Sequence, residues 1–194
     1  MSPRDAADLA QGHDMAVSGN ESMKEPSTAE EVRALHTILR TDPQRYLRLV
    51  NRWIDINPRN AHAFWERHLG WMKVGEPHRA LEDLNKAIEL DPEPVAFRSR
   101  GEVYRQLGEY EKALADFSRG EALDPKQWEN DAFGVYYQAD VHARLGDDTT
   151  ALACCARLPE DFWTPGIHGA PAGGKAEVAE TLRRVAAEAR RRRV

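Results

Sequence analysis

Cysteine is nearly absent from this sequence of 194 residues, because Cys154 and Cys155 are the only two and they are adjacent. Neighbouring cysteines rarely form a disulfide, and two thiols alone do not make a zinc site. We therefore expect both to pack in the core of a protein from a reducing compartment. No run approaches the 18 apolar residues of a transmembrane helix. The first residues, to Met15, lack the apolar stretch of a secretory signal, so we predict a cytoplasmic protein.

The motifs of common enzyme classes are also missing. The sequence contains no G-x-S-x-G, no phosphate-binding loop and no G-x-G-x-x-G. Its seven histidines show no spacing that would bring two of them and a carboxylate around a metal ion. We therefore predict no enzymatic activity, no metal and no cofactor. An enzyme would need a site in the loop around Trp163 and His168.

Charge is distributed unevenly along the chain. Residues 183–194 carry a net charge of +5, so the remaining 182 residues carry −10 of the total of −5. An acidic body argues against a nucleic-acid groove, because phosphate contacts need a positive surface. The arginine-rich end keeps one alternative open, in which it binds nucleic acid or another anionic surface. The 21 arginines, against 6 lysines, suggest a GC-rich bacterial genome.

What the sequence does contain is an internal repeat. Three kinds of marker recur with one period of 33 to 34 residues, stretched to 38 before the last copy. The markers are Asn57-Pro58, Asp91-Pro92 and Asp124-Pro125; Val74-Gly75, Leu107-Gly108 and Leu145-Gly146; and Ala80, Ala113 and Ala151. A repeat of this length with helical composition predicts stacked helical hairpins.

Residues 61–158 resemble the tetratricopeptide repeat, whose two helices follow the pattern W-x2-L-G-x2-Y, A-x3-F and P. The middle copy fits the pattern best, with Phe97, Gly101, Tyr104, Ala113, Phe117 and Pro125. Residues 27–60 keep the spacing but lose most of the pattern. Tyr46 occupies the position of a small alanine there, so we expect those helices to lie farther apart.

The resemblance implies an all-α fold, a right-handed solenoid of helical hairpins closed by a C-terminal capping helix. We predict a mobile tail over 1–26 and a repeat domain over 27–158. Its units would be a degenerate hairpin over 27–60 and repeats over 61–93, 94–127 and 128–158. A loop rich in glycine, proline and aromatic residues would cover 159–174, and a basic capping helix 175–194.

In this family the first helix of each hairpin lines a concave groove. Carried onto this sequence, the inward positions form a surface that is aromatic and apolar at both ends, with charges between. The predicted groove residues are His62, Trp65, Glu66, Leu69, Met72, Arg98, Glu102, Arg105, Phe133, Tyr136, Tyr137, Asp140 and Arg144. Aromatic residues and arginine are the types that dominate binding hot spots.

The resemblance therefore implies a non-catalytic protein that binds a peptide or a partner's helix, as a chaperone, adaptor or neutralising partner. Two alternatives stay open at this point. The aromatic residues could merely pack against the 159–174 loop or the C-terminal helix, which would fill the groove. The chain could also associate with copies of itself as a scaffold.

Overall fold

The computed structural model describes residues 25–166 and 169–192, and only the backbone of Glu129. Residues 1–24 of the tail predicted over 1–26, residues 167 and 168, and the last two residues lie outside the described residues. The helices follow one another as hairpins, with one short antiparallel sheet near the C-terminal end. The elements are α1 (Ala29–Thr41), α2 (Pro43–Ile56), α3 (Ala61–Lys73), α4 (Pro77–Leu90), α5 (Pro94–Gln106), α6 (Tyr110–Leu123), α7 (Pro125–Glu129), α8 (Ala132–Arg144), α9 (Asp148–Ala156), β1 (Trp163–Thr164), β2 (Gly173–Gly174) and α10 (Lys175–Arg192).

The same glycine turn reverses the chain between the helices of three successive hairpins. Gly75, Gly108 and Gly146 follow α3, α5 and α8 with φ values of 79°, 78° and 84°. A Cβ atom is strained in this left-handed region, and glycine has none. After α3, the next amide, that of Glu76, donates to the carbonyl oxygen of Trp71 at 2.9 Å. This arrangement is a common way for a helix to end, and it explains why these glycines recur in the sequence.

A polar bridge ties the helices of the first two repeats together. Arg67 on α3 donates from Nε and a terminal nitrogen to both carboxylate oxygens of Asp83 on α4, at 2.8 and 2.6 Å. Its other terminal nitrogen donates to Asn51 on the preceding helix α2 at 2.9 Å. The equivalent residues one repeat later are Arg100, Asp116 and Asn85, with bonds of 2.8, 2.6 and 2.7 Å. Each bridge thus fixes a hairpin internally and joins it to the hairpin before.

The contact at Gly101 gives a first prediction. A Cβ atom on Gly101 would lie 2.6 Å from the buried ring of Phe117. We expect Gly101→Ala to lower the free energy of unfolding by about 1–3 kcal/mol, because the clash outweighs the gain in helix propensity. Urea unfolding measures the loss. In a Phe117→Leu background the same glycine change should cost less, and an equal cost in both backgrounds would contradict the clash.

The third repeat departs from the first two. The helix α7 accounts for the 38-residue spacing, and its Trp128 is buried against Phe117 with ring centroids 6.2 Å apart. Gln138 and Cys154 stand where the earlier repeats carry the bridging arginine and aspartate. Both cysteines are buried, and burial raises the pKa of each thiol. The third hairpin is therefore held by apolar packing in place of the polar bridge.

The second helix of the N-terminal hairpin, α2, packs closely on α3 through Tyr46. Tyr46 is fully buried, and its hydroxyl shares one proton between the backbone oxygen of Glu66, at 2.9 Å, and the carboxylate of the same residue. Room for it comes from Gly70 on α3, where a Cβ atom would lie 3.0 Å from the Tyr46 ring and 2.5 Å from Leu47. A glycine on the facing helix α3 thus makes space for the large tyrosine, whereas the expected separation concerned α1 and α2 and stays a prediction.

The helix α10 closes the C-terminal end of the array against α8 and α9. Val178, Leu182 and Ala186 of this helix are fully buried. Near its end, Arg190 donates to the carbonyl oxygen of Gly146 at 2.9 Å. The capping helix predicted from the sequence is therefore present.

Two features are absent from the part of the chain that the structure describes. No helix there is long and apolar enough to cross a bilayer. Within the same ranges, no three histidine, cysteine or acidic side chains are grouped so that they could hold a metal ion.

Candidate partner-binding groove

The first helices of the three hairpins, α3, α5 and α8, are joined side chain to side chain. Trp65 on α3 donates its indole N–H to the Ser99 hydroxyl on α5 at 3.1 Å. Arg105 on α5 donates to the Asp140 carboxylate on α8 at 2.9 Å. These two bonds link the three helices that carry the predicted groove residues, and the two ends of the face that they form differ in exposure.

The N-terminal end of this face is open. His62 is exposed, and Trp65, Leu69 and Met72 are half-buried on successive turns of α3. The His62 and Trp65 rings stack with centroids 5.6 Å apart. Trp65 and Met72 also pack against the core residues Ala80, Leu84 and Val103, so solvent reaches only part of each side chain in this apolar row.

Glu66 belongs to the same predicted set but is buried beneath this surface. The Tyr46 hydroxyl donates to its carboxylate, and the nearest nitrogens of His36 and His62 lie 3.5 and 3.6 Å from its oxygens. The Glu25 carboxylate sits on the far side of the His62 ring. Burial raises the pKa of Tyr46, and the neighbouring charge of the Glu66 carboxylate raises it further. Glu66 therefore joins α3 to the N-terminal hairpin and is not available to a partner.

His68, which is not among the predicted groove residues, lies directly under Trp65. Its ring Nδ1 donates to the backbone oxygen of Trp65, and its side chain is buried. Burial lowers the pKa of His68 to about 4, although the hydrogen bond and the charge of Glu102 act in the opposite direction. A neutral imidazole thus supports the floor of the open end.

The charged middle of the face is largely engaged within the protein. Arg98 is half-buried and pairs with Asp131 at 2.8 Å. Arg105 is almost fully buried, and its guanidinium lies over the Tyr137 ring, 4.9 Å from the centroid. Glu102 is half-buried. Of the three charged residues predicted on α5, Arg98 and Glu102 therefore keep some contact with solvent. Arg105 is buried between α5 and α8.

The C-terminal end of the face is covered by residues 159–166 and 169–174, which we call the strap. Phe162 of the strap is buried, with its ring 5.5 Å from that of Tyr136 and 6.0 Å from that of Phe133. The Tyr136 hydroxyl donates to the Pro171 carbonyl oxygen, and burial raises the pKa of Tyr136 to about 12. Arg144 donates to the carbonyl oxygen of Gly169 at 2.6 Å.

The C-terminal half of the predicted groove is thus filled by the strap, whereas the N-terminal half is partly exposed. Tyr136, Tyr137 and Asp140 are buried in packing and cannot meet a partner directly. Phe133 remains partly exposed at the boundary, and Arg144 is half-buried. The apolar composition of residues 159–174 was the signal for this covering, but the sequence did not show which surface the loop would meet.

A pocket of about 320 Å³ opens beside Trp65, at the edge of the uncovered half. It lies between the start of α3, the end of α4 and the start of α5. Its lining is mostly apolar, with carboxylates at the rim: Ala61, His62, Trp65, Ala87, Asp91, Glu93, Val95 and Ala96. No sequence pattern predicted this pocket, because it is formed between repeats and not within one.

Comparison with known proteins supports the repeat. A family model described as "Tetratricopeptide repeat" matches residues 94–127. A fragment of MamA from Desulfovibrio magneticus RS-1 has a similar structure, with a TM-score of 0.60 and 17% identity over 83% of this chain and 89% of that chain. YrrB, described as a TPR protein with an unusual peptide-binding site, gives a TM-score of 0.56 and 18% identity over 82% and 79%.

TTC0263, a thermophilic TPR protein of Thermus thermophilus, gives a TM-score of 0.53 and 19% identity over 82% of this chain and 88% of that chain. Identities this low establish a shared fold and nothing further. The predicted all-α array of helical hairpins is confirmed by these matches and by the structure. The chain therefore matches a tetratricopeptide repeat over residues 94–127 and shares the fold of tetratricopeptide-repeat proteins.

Proposed function

We propose that this protein is a non-catalytic binding module that holds a peptide segment of a protein partner in the open half of its concave face. The observation that carries the proposal is the row of half-exposed Trp65, Leu69 and Met72 on α3, beside a pocket. Binding interfaces concentrate their energy in such apolar and aromatic anchors at the centre of a polar rim.

The strap supports the proposal in a second way. It lies across the other half of the same face as a short non-helical segment, with an aromatic side chain inserted and backbone carbonyls bonded to Tyr136 and Arg144. The face is thus suited to a segment that offers apolar side chains and free backbone groups. A chaperone, adaptor or neutralising role would each use this binding.

The arginine-rich helix end supports the nucleic-acid alternative less well. Arg190 is bonded to Gly146 and pairs with Asp148 at 2.7 Å. Arg183 pairs with Glu180 at 3.2 Å. A phosphate that used Arg183 or Arg190 would have to displace these contacts, and the body of the protein is acidic.

The proposal is tested with a displayed library of random segments of about 12 residues, selected against the immobilised full chain. Enriched segments are then synthesised, and their affinities are measured by fluorescence anisotropy. We expect Leu69→Glu to weaken binding about ten-fold or more, because it places a charge among the apolar anchors. The matched control is Leu123→Glu, at an exposed leucine on α6 outside the groove. Failure to enrich any segment, or equal binding to both variants, would overturn the proposal.

A further inference from the structure

The floor of the pocket beside Trp65 is apolar. Ala87 of α4 and Val95 of α5 line it together with Trp65 and Ala61 of α3. Its volume of about 320 Å³ lies at the lower end of the range for small-ligand pockets, which suits one inserted side chain. An aliphatic stem would remove this surface from water and gain from its burial.

The rim of the pocket carries two carboxylates, those of Asp91 and Glu93, which frame the connection between α4 and α5. Both side chains are exposed, and no hydrogen bond or ion pair joins either carboxylate to another residue in 25–166 or 169–192. The neighbouring carboxylates differ in this respect. Asp131 pairs with Arg98, and Glu25 contacts His62. The negative potential at this edge of the pocket is therefore not neutralised by the described protein.

We propose that this pocket receives a lysine or arginine side chain of the bound segment, a specificity that rests on the binding function proposed above. The methylene stem lies against Trp65, Ala87 and Val95, and the cation reaches Asp91 and Glu93 at the rim. Long basic side chains bury their stems along apolar surface while the charged end stays hydrated. The indole ring adds an attraction for the cation.

The same geometry rejects other side chains. An acidic side chain would meet two unpaired carboxylates of its own sign, and such juxtaposition selects against a wrong partner. An aliphatic side chain would fill the floor but leave the rim without a counter-charge. The pocket therefore selects segments that carry a basic residue as well as the apolar side chains that contact Leu69 and Met72.

The test uses the segments enriched from the random library on the full chain. We expect them to share a lysine or arginine at one position. Asp91→Asn together with Glu93→Gln should weaken their binding about ten-fold, as expected for lost charge-assisted contacts. Raising NaCl from about 50 mM to about 500 mM should weaken binding to the wild type and have little effect on that variant. The control is Glu76→Gln with Glu82→Gln, two exposed carboxylates toward the other end of α4.

Each other outcome has a definite meaning. If no segment is enriched, the binding function itself fails. If enriched segments depend on Leu69 but share no basic residue, or bind equally to the Asp91→Asn/Glu93→Gln variant, only the pocket's specificity is overturned. An equal loss in the Glu76→Gln/Glu82→Gln control would show general attraction to an acidic protein and would also overturn it.

Discussion

We expect Asp140→Ala to lower the free energy of unfolding by about 3–5 kcal/mol, one of the largest losses available in this chain. Asp140 is fully buried and accepts hydrogen bonds from Arg105 at 2.9 Å and from Arg144 at 2.8 Å. Without it the guanidinium of Arg105, which is also buried, would lose its buried carboxylate partner. Urea denaturation followed by circular dichroism measures the loss.

Two further variants test whether the loss of stability comes from leaving a buried charge without a partner or from losing an ion pair of any kind. Lys86→Ala removes an exposed pair with Glu89 and should cost less than about 1 kcal/mol. Arg105→Met combined with Asp140→Leu removes both buried charges, and we expect it to recover most of the loss, because apolar side chains can replace a buried ion pair. If the double variant is no more stable than Asp140→Ala, the uncompensated charge is not the cause.

The second large effect is a loss of stability in mild acid that depends on His68. Burial lowers the pKa of this imidazole to about 4 in the folded chain, whereas an unfolded histidine titrates near 6.5. The unfolded state therefore binds a proton in this window that the folded state does not. The stabilisation is complete above about pH 6.5 and falls by about 1.4 kcal/mol per pH unit as the pH decreases toward 4, roughly 3 kcal/mol in all.

The measurement compares urea unfolding of the wild type and His68→Gln at about pH 7 and about pH 5, the range in which histidine titrates. Glutamine can keep a donor for the Trp65 carbonyl but does not titrate. We expect the wild type to lose about 2 kcal/mol more than the variant between these pH values. His142, whose pKa is also lowered by burial, contributes equally to both proteins and cancels. Parallel losses would contradict the assignment to His68.

The repeats could be predicted from the sequence because their determinants are local. A glycine after α3, α5 and α8 reverses the chain, and the small residues Ala80 and Ala113 let paired helices approach. These features lie within about 20 residues of each other and recur with the repeat. The bridging arginines, Arg67 and Arg100, were visible at equivalent positions, but their partners were recognised only in three dimensions.

The half of the groove that is covered could not be predicted, since it depends on contacts between distant parts of the chain. Tyr136 meets Pro171 35 residues later, and the ring of Phe162 meets that of Phe133. The repeat pattern of a sequence is the same whether a tyrosine at an inward position is exposed to solvent or covered by the strap. Tyr46 shows the same limit, because its fit depends on Gly70 of another hairpin.

The recurring bridge has a consequence for how such a gene can change length. A duplicated copy of residues 61–93 would bring its own arginine and aspartate, together with an asparagine on its second helix for the arginine of the following copy. The polar bridge would therefore be kept at both new junctions, but Gly70 of the copy would meet Ala80 in place of Tyr46 and leave space there. No such expansion is available after α8. There, Gln138 and Cys154 stand in place of the bridging arginine and aspartate. The strap and α10 occupy the surface on which a further repeat would pack. We expect related sequences of different length to differ by whole units of the first two repeats, while the strap and its tyrosine remain single.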